Sequence, residues 1–186
     1  MSNIYLKFPT KFDEKEWNEY VAEYRQNDPT VNPMGYKNDM DYHEWLNGVE
    51  NDYKGINLQV GRVPSSIYFL MSDERIVGSI SIRHNIDTSF LSWYGGHIGY
   101  NVRPSERRKG YATTMLFLAL EKCEELGLEN VMISCKEDNI GSAKTIENNC
   151  GILNEIVFFP QQNCNLKKYW INVKDALNNQ KIKTKK

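Results

Sequence analysis

The spacing of hydrophobic positions changes period several times along this chain, and each change marks an element. Trp17, Tyr20, Val21 and Tyr24 recur at helical spacing behind Asp13-Glu14-Lys15-Glu16, which has the form of a capped helix start. Pro29, Pro33 and Gly35 break the pattern, and Tyr42, Trp45, Leu46 and Val49 restart it in a second short helix from about Asp39. From Ser65 the period falls to two. Ile67 to Met71 and the alternating Ile76, Gly78, Ile80 and Ile82, joined by Ser72-Asp73-Glu74-Arg75, predict a hairpin. After a turn-prone stretch over 85–96, Ile98-Gly99-Tyr100-Asn101-Val102 reads as a strand. Ala112, Met115, Leu116, Ala119, Leu120, Cys123 and Leu126 then return to helical spacing until Gly127 stops them. Val131, Ile133 and Cys135 predict another strand, Ile140, Ala143 and Ile146 one stripe of another helix, and 153–159 and 166–173 two last strands. The polar, basic run from Asn178 to Lys186 predicts a frayed end, so a single domain is placed at 1–178 and a tail at 179–186. Strands and helices mixed in this order imply α+β with a mixed sheet covered by helices.

Composition removes several classes of function. The 186 residues carry 23 Lys+Arg against 24 Asp+Glu, a net charge of −1, so no global field attracts nucleic acid or an anionic membrane and any cationic surface is local. No apolar run reaches the length of a membrane span, and Met1-Ser2-Asn3-Ile4-Tyr5 lacks the basic-then-apolar order of a signal peptide, which predicts a cytoplasmic protein. Cys123, Cys135, Cys150 and Cys164 show no Cys-x-x-Cys spacing; reduced structural thiols are expected, with no metal and no disulfide framework. No nucleic-acid or membrane partner is expected, and a homodimer is left open.

The chemistry concentrates in one loop. Asn101-Val102-Arg103-Pro104-Ser105-Glu106-Arg107-Arg108-Lys109-Gly110 connects the strand at 98–102 to the helix that follows. The first N–H groups of a helix have no internal partner and its dipole leaves partial positive charge there, so a glycine-containing, basic loop at that end suits an anion. The order Lys-Gly-Tyr is not the Gly-Lys-Ser/Thr of a nucleotide loop, and the spaced glycines of a dinucleotide fingerprint are missing.

Arg107-x-x-Gly110-x-Ala112 instead resembles the Gln/Arg-x-x-Gly-x-Gly/Ala loop of the GNAT superfamily of acyl-CoA N-acyltransferases. Val102-Arg103-Pro104 before the loop, the strand at Asn130 to Cys135 and the helix opening at Asp138-Asn139-Ile140-Gly141-Ser142 follow that family's order, so the resemblance covers about residues 65–173. Val63-Pro64, Ile82-Arg83-His84 and Gly95 to Tyr100 look most like a group of predicted bacterial acetyltransferases. The resemblance implies the GNAT fold, whose central sheet splays after the strand at 98–102, and acetyl-CoA as co-substrate. Residues 108–113 (Arg108, Lys109, Gly110, Tyr111, Ala112 and Thr113), with the Arg107 side chain, are expected to hold pyrophosphate. Val102 is expected to bond the pantetheine amides, with Asn139 and Ser142 at the start of the next helix. It further implies transfer of an acetyl group to a primary amine by direct attack in a ternary complex, the acceptor being a small molecule or a peptide; a CoA-binding module without turnover is the alternative. The family's first two helices wall the acceptor pocket, which points to residues 27–38.

Catalytic groups are less legible. An alkyl ammonium has a pKa of about 10, so a base or a water held by one takes a proton before attack. His97 at the start of the central strand and His84 at the end of the preceding one are the candidates, though a histidine at a strand end also serves as a structural hydrogen-bonding group. The family's usual acid, a tyrosine on the helix after Asn139, is Ile146 here, and Cys150-Gly151 stands where Gly-Phe usually follows. Ile146 is expected to be a packing residue and Cys150 inert, which leaves the leaving thiolate to solvent, to Tyr100 or to Tyr169, whichever reaches the cleft.

Overall fold

The computed structural model describes residues 3–28, 31–37 and 40–183, with side chains as far as residue 179. Met1, Ser2, Pro29, Asp39 and residues 184–186 of the basic tail, which all entered the sequence-based expectations, lie outside them. The described strands form two sheets. β1 (Ile4–Lys7), β2 (Ser65–Ser72), β3 (Arg75–Arg83) and β4 (Ile98–Val102) lie in the order β1-β2-β3-β4, and β5 (Asn130–Lys136), β6 (Ile152–Phe159) and β7 (Cys164–Asn172) in the order β5-β7-β6. Every ladder in both is antiparallel, so the single mixed sheet expected from the sequence is replaced by an antiparallel pair.

The reason lies at one contact between β4 and β5. The His97 N–H donates to the Met132 carbonyl at 2.7 Å, and the Met132 N–H donates to His97 Nδ1 at 2.9 Å. A side-chain nitrogen stands in for a backbone acceptor here, and no further backbone bond between β4 and β5 follows among the described residues. Gly96, just before, has a positive φ of 65°, and a Cβ there would lie 2.5 Å from the Met132 carbonyl oxygen. Only glycine allows this approach.

Helices cover both faces. α1 (Glu14–Asn27) and α2 (Tyr42–Lys54) lie on one side, where Trp17, Tyr20, Tyr24, Tyr42 and Trp45 pack on Ile67 and Phe69 of β2. On the other side α3 (Tyr111–Glu125), α4 (Ile140–Asn148) and α5 (Val173–Lys183) share a second core with Leu70, Ile80, Ile82, Val131 and Ile171. Ile146 is fully buried there, and a Cβ at Gly151 would overlap its side chain at 2.3 Å, so the position is filled by packing.

Several expectations change in detail. Asp13 does not use its carboxylate to cap α1: that group accepts from the N–H and hydroxyl of Thr10, both at 2.9 Å, closing a short turn, while Glu16 is drawn away to Arg103. α2 begins at Tyr42, with the Asp41 carboxylate accepting the Glu44 N–H at 2.8 Å. Ile140 is exposed and lies off the apolar stripe of Ala143 and Ile146. β7 ends at Asn172, whose side-chain oxygen accepts the Asp175 N–H at 3.0 Å; α5 then continues to Lys183 where a frayed tail was expected from Asn178. Val173, Ala176 and Leu177 anchor it in the core.

Candidate functional site

The loop before α3 is tied down before it can bind anything. Arg103 is buried, and its guanidinium meets Glu23 at 2.6 Å and Glu16 at 2.7 Å, both on α1. Glu23 also accepts the Ser105 N–H at 2.7 Å. Arg107 pairs with Asp28 at 2.8 Å and donates to the Val102 carbonyl at 3.3 Å, while Lys109 pairs with Glu106 at 2.8 Å. Three of the four cations that gave the stretch its basic character are thus neutralised locally. Of these four, Arg108 alone has no carboxylate within 4 Å among the described residues.

What the loop offers an anion is therefore mainly backbone. Arg108 and Gly110 have positive φ values of 67° and 86°, which turn the chain sharply into α3. The amides of residues 108–112 find no acceptor among the described residues, while Thr113 and Thr114 already bond to the Gly110 carbonyl. A Cβ at Gly110 would meet nothing within 4 Å, so this backbone opens onto free space. Concave, unpaired N–H groups at a helix start form an anion cradle.

The cradle is the mouth of a cleft of about 600 Å³, lined by residues that include Tyr100, Asn101 and Val102 of β4, the α3 start, and Asn139, Gly141, Ser142 and Thr145 around α4. Along β4, Arg103 N–H bonds to Val77 and the His97 carbonyl accepts from Arg83, so odd-numbered residues bond to β3 and the backbones of Tyr100 and Val102 face the gap. The Val102 carbonyl is taken by the Tyr24 hydroxyl at 2.7 Å, which leaves its N–H as the free group. Asn139 caps α4 by accepting the Ser142 N–H at 3.0 Å. The Tyr100 hydroxyl crosses the cleft to Ser142 Oγ at 2.8 Å, and burial pushes its pKa up to about 12.

Of the residues expected in the cofactor site, Val102, Arg107, Arg108, Gly110, Tyr111, Ala112, Thr113, Asn139 and Ser142 line this one cleft, and Lys109 stands beside it. Tyr100 joins them. His97 and His84 do not: His97 is buried at the β4–β5 contact with Nδ1 engaged, and His84 Nε2 pairs with Ser66 Oγ at 2.8 Å on the far side of β3. Tyr169 is buried against Glu147 at 3.0 Å, and Cys150 follows α4 outside the cleft lining. Sequence reasoning missed Thr145 and Gly141 as lining residues, and the buried bonds of Tyr20 to Ser79 and Asn101 beside Asn32 and Met34. Helical spacing from Ser142 would have pointed to Thr145. Tyr20 carried no polar signal.

Two sheets that part at β4 and β5, with an anion cradle at the mouth of the gap, define an acyl-CoA acyltransferase architecture. Residues 10–150 match the acetyltransferase (GNAT) domain family, and the chain belongs to it, in the class of acetyl-CoA-dependent N-acetyltransferases. No curated protein matches the sequence. Among solved structures, Mycobacterium smegmatis RimJ in complex with CoA-disulfide is 17% identical over 94% of this chain and 86% of its own, with a TM-score of 0.68. The microcin C7 self-immunity acetyltransferase MccE, in complex with acetyl-CoA and AMP, is 16% identical over 91% and 92%, with a TM-score of 0.63. A Salmonella typhimurium acetyl transferase that modifies the N-terminal serine of ribosomal protein L7/L12 is 13% identical over 91% and 94%, at 0.65. At these identities the likeness is one of fold. No described helix is long and apolar enough to cross a membrane.

The His97 contact makes a pH dependence. Burial, with Arg83 adding to it, holds the imidazole pKa below its usual value, and burial shifts His84 the same way. Unfolded histidine titrates near about 6.5, so above that pH neither state binds a proton and stability is flat. Below it the unfolded chain takes protons that the fold refuses, and stability falls until pH passes the folded values. The melting temperature is expected to drop between about pH 7 and 5. His97→Asn, which keeps an acceptor for Met132 but cannot titrate, is expected to flatten that slope; an unchanged slope would contradict the assignment.

Proposed function

We propose that this protein transfers an acetyl group from acetyl-CoA to a primary amine of a small molecule or peptide, by direct attack in a ternary complex. The observation that carries this is the row of unengaged amides at 108–112, at the mouth of a cleft that continues along the free backbone of Tyr100 and Val102. Those amides and Arg108 suit pyrophosphate, and the free β4 edge suits the pantetheine amides, which pair with backbone as a strand would. Acetyl-CoA supplies an acyl group activated as a thioester. The Val102 N–H is the donor aimed at charge developing on a carbonyl held there.

Tyr100 takes the role left vacant by Ile146. It reaches the cleft from β4 instead of from α4, and its hydroxyl already meets α4 at Ser142. With a pKa of about 12 it is a weaker acid than a thiol of about 8.5, so it stabilises the leaving thiolate by hydrogen-bond donation, and the proton comes from solvent. Asp28 and Glu106, the carboxylates of the cleft, hold Arg107 and Lys109. With neither imidazole in the cleft, we assign removal of the acceptor's proton to water. The reading that CoA binds without turnover rests on Ile146 alone, and Tyr100 supplies what Ile146 lacks.

Two variants separate the parts of this reading. Gly110→Asp forces a side chain into a left-handed backbone and a carboxylate into the cradle, and calorimetry is expected to show CoA binding lost; equal affinity would refute the cofactor site. Tyr100→Phe is expected to keep CoA affinity and lose about 10- to 100-fold in acetyl transfer, as removal of one charge-assisted hydrogen bond does. An unaltered rate would remove Tyr100 from the chemistry.

A further inference from the structure

The face of β3 and β4 turned toward α1 carries a polar row. The pairing register sets Ser79 opposite Asn101 and Ser81 opposite Gly99, and Arg83 follows two residues on, on the same face. The neighbouring β2 is apolar on that face: Ile67 and Phe69 lie opposite Ser81 and Ser79 and enter the aromatic core. No β4 residue joins that core. Ser79 is sealed beneath Tyr20, but Ser81, Arg83, Gly99 and Asn101 stay partly open. Gly99 contributes no side chain, and a Cβ there would come within 4 Å of Met34 Sδ alone, at 3.8 Å. The row therefore runs from the cleft, where Asn101 and Val102 line it, to Arg83.

Arg83 is an unusual group to find at the end of such a row. Its Nη1 donates to the carbonyls of Gly96 at 2.9 Å and Gly95 at 3.3 Å, but no carboxylate lies within 4 Å among the described residues. Burial lowers its pKa, and the neighbouring Arg62 adds to the effect. Of the carboxylates at that end, Asp52 is already held by Arg62 at 2.6 Å and lies within reach of Lys37 as well, while Asp87, close enough to act on His97, makes no ion pair with Arg83. Three cations thus share two anions, and neither pairs with Arg83. A partly desolvated guanidinium without a counter-charge is costly, and a planar fork with Nε and Nη2 unused is shaped for a carboxylate.

Resting on the acetyltransferase reading above, we propose that the acceptor is a primary amine that also carries a carboxylate, which Arg83 binds while the amine lies at the cleft. The Arg83 N–H bonds to the His97 carbonyl, so the arginine is level with His97, four residues along β4 from Asn101. At about 3.3 Å per residue, less the roughly 3 Å spanned by the hydrogen bond between guanidinium and carboxylate, amine and carboxylate stand roughly 10 Å apart.

The test uses 6-aminohexanoate and 8-aminooctanoate as acceptors, each beside its neutral amide, with the parent, Arg83→Gln and Arg62→Gln, and CoA affinity measured in parallel. The parent is expected to acetylate 8-aminooctanoate at least about tenfold better in kcat/KM than its amide, the longer acid being better than the shorter. In Arg83→Gln the preference is expected to vanish with CoA affinity kept, a selective change that lost packing does not produce. Should that variant not fold, Arg62→Gln is expected to lower the same ratio severalfold. Equal use of acid and amide by the parent, a preference that survives in the folded Arg83→Gln or, if that variant does not fold, is undiminished in Arg62→Gln, or no turnover of any of the four with CoA bound, would overturn the proposal. A parent that fails to bind CoA would instead overturn the reading on which it rests.

Discussion

The structure depends on the place where β4 and β5 stop pairing. Backbone N–H and C=O groups inside a fold almost always find partners, and two adjacent strands would normally satisfy each other along their length. Here His97 Nδ1 accepts the Met132 N–H, Gly96 lets the chains come close enough for that bond, and beyond it the strands part. The Arg83 guanidinium, bonded to the Gly95 and Gly96 carbonyls, braces the same turn from β3. Past this contact the backbone edge of Tyr100 and Val102 has no partner strand among the described residues, and it lies inside a cleft where a ligand with peptide-like amides can use it.

Charge is arranged to the same end. The basic loop looks in sequence like a cluster of phosphate-binding side chains, yet most of its positive charge is matched inside the molecule: Arg103 to Glu16 and Glu23, Arg107 to Asp28, Lys109 to Glu106. These pairs fix the loop on α1 and hold its amides in the concave form that a free chain would not keep. Binding by pre-positioned dipoles avoids the entropy of ordering long side chains at the moment of binding. The same ties attach α1, and through Asn101 and Asn32 the segment leading toward α2, to the end of β4, so these elements and the loop share one support.

The sequence was informative where local physics decides. Helical and alternating periods placed most elements, because each had one clear apolar face, and Arg107, Gly110, Ala112 and Asn139, singled out by the loop motif and the helix starts, line one cleft. It failed where partners lie far apart in the chain. Glu16 reads as a capping residue and proves to be a ligand of Arg103, 87 positions away. His97 reads as a base because strand position says nothing of what faces the ring, and Met132 faces it from another strand. α5 was hidden because, among its described side chains, only Val173, Ala176 and Leu177 reach the core, too few to set a period. Tyr100 could be named as a candidate but not chosen, since only the crossing to Ser142 shows that it reaches α4.

The central claim is that the gap between β4 and β5 is the cofactor's seat. Hydrogen–deuterium exchange read at the single amides of Tyr100 and Val102, with and without saturating CoA, tests it directly. Both amides point into the gap, while those of Gly99 and Asn101 bond to β3 and serve as an internal reference. The account expects CoA to slow exchange at Tyr100 and Val102 and at 110–112, with little change at Gly99 and Asn101. Bound CoA that leaves Tyr100 and Val102 exchanging as in the free protein would contradict it.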